Sequence, residues 1–77
     1  MEYLVTFYTH YGAMRFHKHC RGSGVPARMM PVPRELSASC GVCVRLQAEA
    51  APSPAEHEDM EGCFSIGPTG AFTAVEE

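Results

Sequence analysis

Pro31-Val-Pro-Arg-Glu-Leu-Ser-Ala-Ser-Cys-Gly-Val-Cys-Val-Arg-Leu46 decides how the rest of the chain is read. Its second half alternates: Val42, Val44 and Leu46 point to one face, and Cys43, Arg45 and Gln47 to the other. This two-residue period in a β-branched run predicts a strand over 42–47. Its first half, punctuated by Pro31 and Pro33, predicts a long loop. The Cys40-Gly41 pair joins the two halves, so backbone geometry holds a small thiol at a strand entrance, where glycine leaves room for an approaching group.

Upstream, Val25-Pro-Ala-Arg-Met-Met30 predicts another strand, with Pro26 at its start or on an edge because proline cannot donate to a ladder. Before it, Tyr3-Leu-Val-Thr-Phe-Tyr8 alternates and is aromatic and β-branched, which predicts the first strand. Thr9 is a suitable N-cap for a helix over 10–21 that turns Ala13, Phe16 and Cys20 inward, with Met14 a further candidate for that face, and Gly22-Ser-Gly24 ends it. Downstream, Ser53-Pro-Ala-Glu56 has the form of a capping box with proline at the first helical position, predicting a short second helix that ends near Gly62. Cys63-Phe-Ser-Ile66 predicts a fourth strand and Gly67-Pro-Thr-Gly70 a turn, after which 71–75 is an edge strand or a tail.

The resulting order is β-α-β-β-α-β in a single domain over residues 1–77. It implies an α+β, ferredoxin-like sandwich: an antiparallel sheet with two helices on one face. The open face would carry Leu4, Tyr8, Met30 and Cys43, which offers an interface for a second copy or a partner protein unless the tail around Phe72 covers it.

Composition narrows the function classes. A hydrophobic content of 45% with 19% charged residues fits a small compact fold. A formal charge of −3 without a lysine-arginine cluster argues against nucleic acid or an acidic membrane surface as partner. No apolar run approaches the roughly 20 residues that span a bilayer. The start, Met1-Glu-Tyr-Leu-Val, lacks the basic and apolar regions of a signal peptide, so the expected location is cytoplasmic. The four cysteines (Cys20, Cys40, Cys43 and Cys63) are then expected to be reduced thiols, metal ligands or redox groups rather than a disulfide framework.

The topology brings the end of the first strand, the loop 31–41 and the start of the fourth strand to one end of the sheet. Cys40 and Cys63 are candidates for one site there, and Cys20 falls towards the other end. A helix N-terminus favours a thiolate at Cys40, Arg34 is within loop reach of it, and His10 is a candidate proton partner. The competing reading is a small cysteine packed at the edge of a core. Cys40-Gly-Val-Cys43 matches C-x-x-C, but strand parity sends its thiols to opposite faces, which counts against a redox pair. A zinc site from Cys40, Cys43, Cys63 and a histidine lacks a second closely spaced ligand pair. His17 and His19 are expected on a solvated helix face, and His57 and the acids of 56–61 on the surface of the second helix.

The runs Tyr3-Leu-Val-Thr-Phe-Tyr8, Gly24-Val-Pro-Ala-Arg-Met-Met-Pro-Val-Pro-Arg34 and Ser37-Ala-Ser-Cys-Gly41, with Ala13 and Arg45, resemble the putative Se/S carrier protein-like family of small prokaryotic proteins. The resemblance covers roughly the first 47 residues. It implies a carrier, more than a turnover enzyme, that holds sulfur or selenium on Cys40 as a persulfide or selenosulfide. No cofactor or metal is implied. Loading would come from a cysteine desulfurase-type donor, with Gly41 leaving room, Arg34 steadying the anion and Cys63 resolving the adduct as a disulfide. An acceptor protein would then take the cargo. The rival expectations are a non-catalytic interaction module using the open sheet face, as a homodimer or with a partner, and a small zinc-binding domain.

Overall fold

A computed structural model describes residues 1–36, 38–52 and 57–75. The elements are β1 (Glu2–Phe7), α1 (His10–Gly22), β2 (Ala27–Pro31), β3 (Val42–Gln47), β4 (Met60–Ile66) and β5 (Phe72–Ala74). The strands form one five-stranded sheet in the order β2-β3-β1-β4-β5. Every neighbouring pair is antiparallel, so β1 and β2 run one way and β3 and β4 the other.

β1 is the central strand because its residues suit burial on both faces. Tyr3, Val5 and Phe7 join a core with Val44, Leu46, Met60 and Cys63 from the sheet and Ala13, Phe16 and Cys20 from α1. The tilted Phe7 and Phe16 rings, 5.3 Å apart, join helix to central strand. Thr9 starts α1 as its N-cap, its Oγ1 accepting from the Gly12 amide at 3.0 Å. At the other end the Ser23 and Val25 amides donate to the last helical carbonyls, and Gly24 takes the left-handed φ of 74° that lets the chain reverse. Pro26 stands just before β2, an edge strand, and offers only its carbonyl, which accepts from the Gln47 amide.

Two expectations are corrected. The two-helix, ferredoxin-like sandwich becomes a five-stranded sheet with one helix among the described residues. The capping box at 53–56 lies outside those residues, but the rest of the expected second helix does not: 57–59 lead through a turn, and β4 has begun by Met60. The expected helix had only Ala55 and Met60 to bury, whereas as a strand Met60 pairs with Phe7 and enters the core. The second correction concerns the open face. Leu4 and Cys43 are fully buried there, Met30 is half-buried, and Tyr8 lies beyond the strand. Leu4 sits in register between Arg45 and Phe64, two long side chains on its own face. Within the stretch 71–75, Phe72–Ala74 forms β5, an edge strand whose Phe72 pairs with Ile66.

Between α1 and the 57–59 turn the backbones come close. The Tyr8 amide donates to the Asp59 carbonyl at 2.8 Å, and Gly12 is buried. A Cβ on Gly12 would overlap the Asp59 Cβ and lie 2.9 Å from its carboxylate. Helix propensity alone favours alanine over glycine by about 1 kcal/mol. Overpacking, at about 1–3 kcal/mol, outweighs or cancels that gain. Gly12→Ala is therefore expected to lower or at best hold stability in chemical denaturation, while the exposed Gly22→Ala control, with no atom within 4 Å of its added Cβ, gains. A clear gain at Gly12 would show that the turn does not pack against the helix as described.

Candidate functional site

The β2–β3 connection is a hairpin loop closed at its base by the Val32 amide donating to the Gly41 carbonyl at 3.1 Å. Within it the Leu36 amide donates to the Pro33 carbonyl, closing a turn over Pro33–Leu36. The loop re-enters the sheet at Gly41, whose φ of 73° belongs to the left-handed region where a side chain would be strained. Cys40 is the residue just before that reversal.

A second anchor comes from across the sheet. The backbone amide and hydroxyl of Ser39 both donate to the Glu61 carboxylate, at 2.9 and 3.1 Å. Glu61 reaches Ser39 because β4 is bulged: Thr6 pairs with Gly62 and Phe7 with Met60, so Glu61 is the extra residue without a partner on β1. Two charge-assisted bonds thus tie the residue next to Cys40 to a strand 22 positions away in sequence. Sequence reading missed Glu61 by placing it among solvated helix acids; Met60, Phe64 and Ile66 keep one parity in the sequence, so the bulge leaves no local signal there.

Burial sorts the four thiols, none of which is in a disulfide. Cys20, Cys43 and Cys63 are buried, and Cys40 alone is half-buried. Cys40 packs against the helix-side core, its Sγ donating to the Val42 carbonyl at 3.4 Å. Cys43 is on the opposite face, its Sγ directed at the carbonyls of Met30 (3.5 Å) and Pro31 (3.7 Å). The C-x-x-C thiols lie on opposite faces, with Cys40 itself outside β3. Burial pushes the Cys43 thiol up to about 11, with the charge of Cys40 adding to the effect. Burial alone does the same to Cys63, also to about 11, and raises Cys20.

The other expected site residues are not gathered around the sulfur. Arg34 is exposed in the turn of the loop, and His10 is exposed at the first position of α1. Neither makes a hydrogen bond or ion pair to Cys40 among the described residues. Cys63 belongs to the same core that Cys40 packs against, in register with Val5, but no bond joins the two sulfurs. The histidines also depart from expectation. His17 is half-buried, with Nε2 3.3 Å from the Ala27 carbonyl, and so links α1 to β2. The His57 ring packs edge-on against Phe16 at 4.8 Å and meets His19 at 5.4 Å. Among the described residues no group of three or more His, Cys, Asp or Glu is placed to hold a metal ion, so the zinc-domain expectation finds no supporting geometry there. No helix among them is long and apolar enough to cross a membrane.

Fold and site together define a small α+β domain that presents one reachable thiol on an anchored hairpin loop. The chain belongs to the family described as Putative Se/S carrier protein-like, whose model matches residues 2–57. That match takes in β1, α1, β2, β3 and the Cys40 loop, and stops before β4. No curated protein and no solved structure matches the chain.

Brief alkylation of the folded protein at about pH 8 is expected to modify Cys40 ahead of the three buried thiols, read by peptide mass mapping; prior modification of Cys43 or Cys63 would contradict the burial order. Glu61→Ala is expected to speed amide exchange at 38–41 and leave β1 protected. Unchanged exchange there would mean that the Ser39 anchor does not hold the loop. The raised thiols also set a pH dependence. The folded state holds the Cys43 and Cys63 protons more tightly than the unfolded chain, from an ordinary value of 9.0 to about 11. Their stabilising contribution is whole below about pH 9 and is lost as pH rises through 11. Thermal unfolding midpoints should fall across that window, and less steeply in Cys63→Ala.

Proposed function

We propose that this protein is a sulfur or selenium carrier that holds a persulfide or selenosulfide on Cys40 for delivery to a partner protein. The observation that carries the reading is the sorting of the cysteines: one half-buried thiol on an anchored loop, and three withdrawn into the interior. Membership of the family adds to it. In loading from a cysteine desulfurase-type donor, the Cys40 thiolate attacks the outer sulfur of the donor's persulfide. The new S–S bond forms as the donor's breaks, the donor leaves as a thiolate, and the proton of Cys40 passes to a base, with no net change of oxidation state. Delivery is the same displacement at Cys40, with an acceptor thiolate attacking and the Cys40 thiolate leaving.

Gly41 brings no Cβ against the sulfur. Arg34, the cation of the same loop, is assigned to steady the persulfide anion, and His10, at the same end of the sheet, to accept the proton. A resolving role for Cys63 requires it to leave the core, since it is 6% exposed. The cytoplasm, where thiols stay reduced, suits this chemistry.

The test is the intact mass of the anaerobically purified protein before and after incubation with a cysteine desulfurase and cysteine. A single added sulfur mapped to Cys40 is expected, lost in Cys40→Ser and retained in Cys20→Ser. Loading that survives Cys40→Ser overturns the assignment. A second reading, a non-catalytic interaction module, draws on the sheet face that α1 leaves uncovered, where Phe64, Ile66 and Phe72 are half-buried. An unloaded Cys40 together with concentration-dependent association in sedimentation would favour it.

A further inference from the structure

The outward side of α1 is unlike the rest of the molecule. Tyr11, Met14, Arg15, Lys18 and Arg21 recur at three- and four-residue spacing opposite the buried Ala13, Phe16 and Cys20, and all five are exposed. The helix holds three of the chain's six Lys and Arg and none of its nine acids, so it carries a formal +3 and the remainder −6. Charge is therefore separated across a molecule whose net value of −3 conceals it. The stripe is also apolar: Tyr11 is 66% and Met14 50% exposed, two of only four large hydrophobic residues exposed among the described residues. Arg15 lies over the Tyr11 ring, 5.7 Å from its centroid, so cation and ring are already placed side by side.

We infer that this face of α1 docks the acidic surface of a partner protein, with Tyr11 and Met14 as the apolar centre and Arg15, Lys18 and Arg21 as the charged rim. Tyr, Met and Arg are the side chains enriched where protein interfaces close, and a basic rim selects a partner of opposite charge. Nucleic acid is the weaker fit. A polyanion would meet three cations and the field of a −6 remainder, and the exposed methionine and tyrosine would be idle along a phosphate backbone. The register Thr6↔Cys43 puts the start of α1 and the Cys40 loop at the same end of the sheet.

The docking itself does not rest on sulfur transfer, and its test is run without sulfur. The isotopically labelled full chain is titrated with a soluble peptide rich in glutamate and leucine, and amide shifts are followed at low and high salt. Shifts are expected to centre on Tyr11, Met14, Arg15 and Lys18 and to weaken with salt. Arg15→Glu/Lys18→Glu should bind at least about tenfold more weakly. Tyr11→Ala should also weaken binding although no charge changes, and Arg28→Glu/Arg34→Glu should lose much less than the helix pair. Shifts centred elsewhere, or equal losses in the two charge-reversed pairs, overturn the face. Tighter binding of a DNA duplex or of phosphatidylglycerol vesicles through the same residues overturns the partner class. Peptide binding by a protein whose Cys40 does not load would sink only the carrier reading, and loading without peptide binding would sink only the docking face.

Discussion

Everything else in this domain hangs on a central strand that is paired along both edges and buried on both faces. β1 bonds to β3 on one side and to β4 on the other, and Leu4, Val5, Thr6 and Phe7 are all buried. Each large apolar side chain so enclosed contributes about 1.5–3 kcal/mol. A one-residue slip of β1 would exchange its two faces, sending Thr6 towards α1 and Phe7 away from it, so the register is held tightly. Because both neighbours are fixed to the same strand, the start of β3 and the start of β4 come to the same end of the sheet. That constraint allows a loop entering β3 to be tied to a side chain leaving β4.

The tie depends on an irregularity. In an unbroken β4, Cys63 faces the helix side, so Glu61 would also face it and Met60 would face away. A carboxylate would then point into the apolar core while a methionine was wasted on the uncovered face. The bulge removes the conflict by counting one residue twice: Met60 joins Phe7 in the core, and Glu61 is released to accept two bonds from Ser39. The same local distortion therefore completes the core and positions the segment that carries Cys40. Gly12 contributes from the other side, since only a residue without a side chain lets the 57–59 turn settle against α1 and lead into the bulge.

How much of this was legible follows from which signals are local. β1, α1 with its Thr9 cap, and β3 over Val42–Gln47 were visible because alternation, capping chemistry and helical spacing are written within a few residues. The second helix was wrongly expected because a capping box is also a local signal, and nothing beside it showed that Met60 would be used by Phe7 more than fifty positions earlier. Cys40 and Gly41 could be singled out from the Cys-Gly step into a strand. Glu61 could not, since Met60, Phe64 and Ile66 keep one parity and the bulge leaves no local signal. His17 and His57 were read as surface residues for a related reason: their partners, Ala27 and Phe16, lie on other elements.

The placement of the thiols bears on what it takes to carry sulfur at all. A persulfide is lost when a neighbouring thiolate attacks it, so a carrier with four cysteines must keep three of them from its own cargo. On the proposed carrier reading, two separate features of this chain would serve that end. Cys43 lies on the face opposite Cys40, although only two residues intervene, and its Sγ is turned towards two backbone carbonyls. Desolvation then holds Cys43 and Cys63 near 11, where the attacking thiolate form is scarce at neutral pH. The geometry that makes C-x-x-C a poor redox pair is thus the geometry that the proposed carrier role would ask of Cys40.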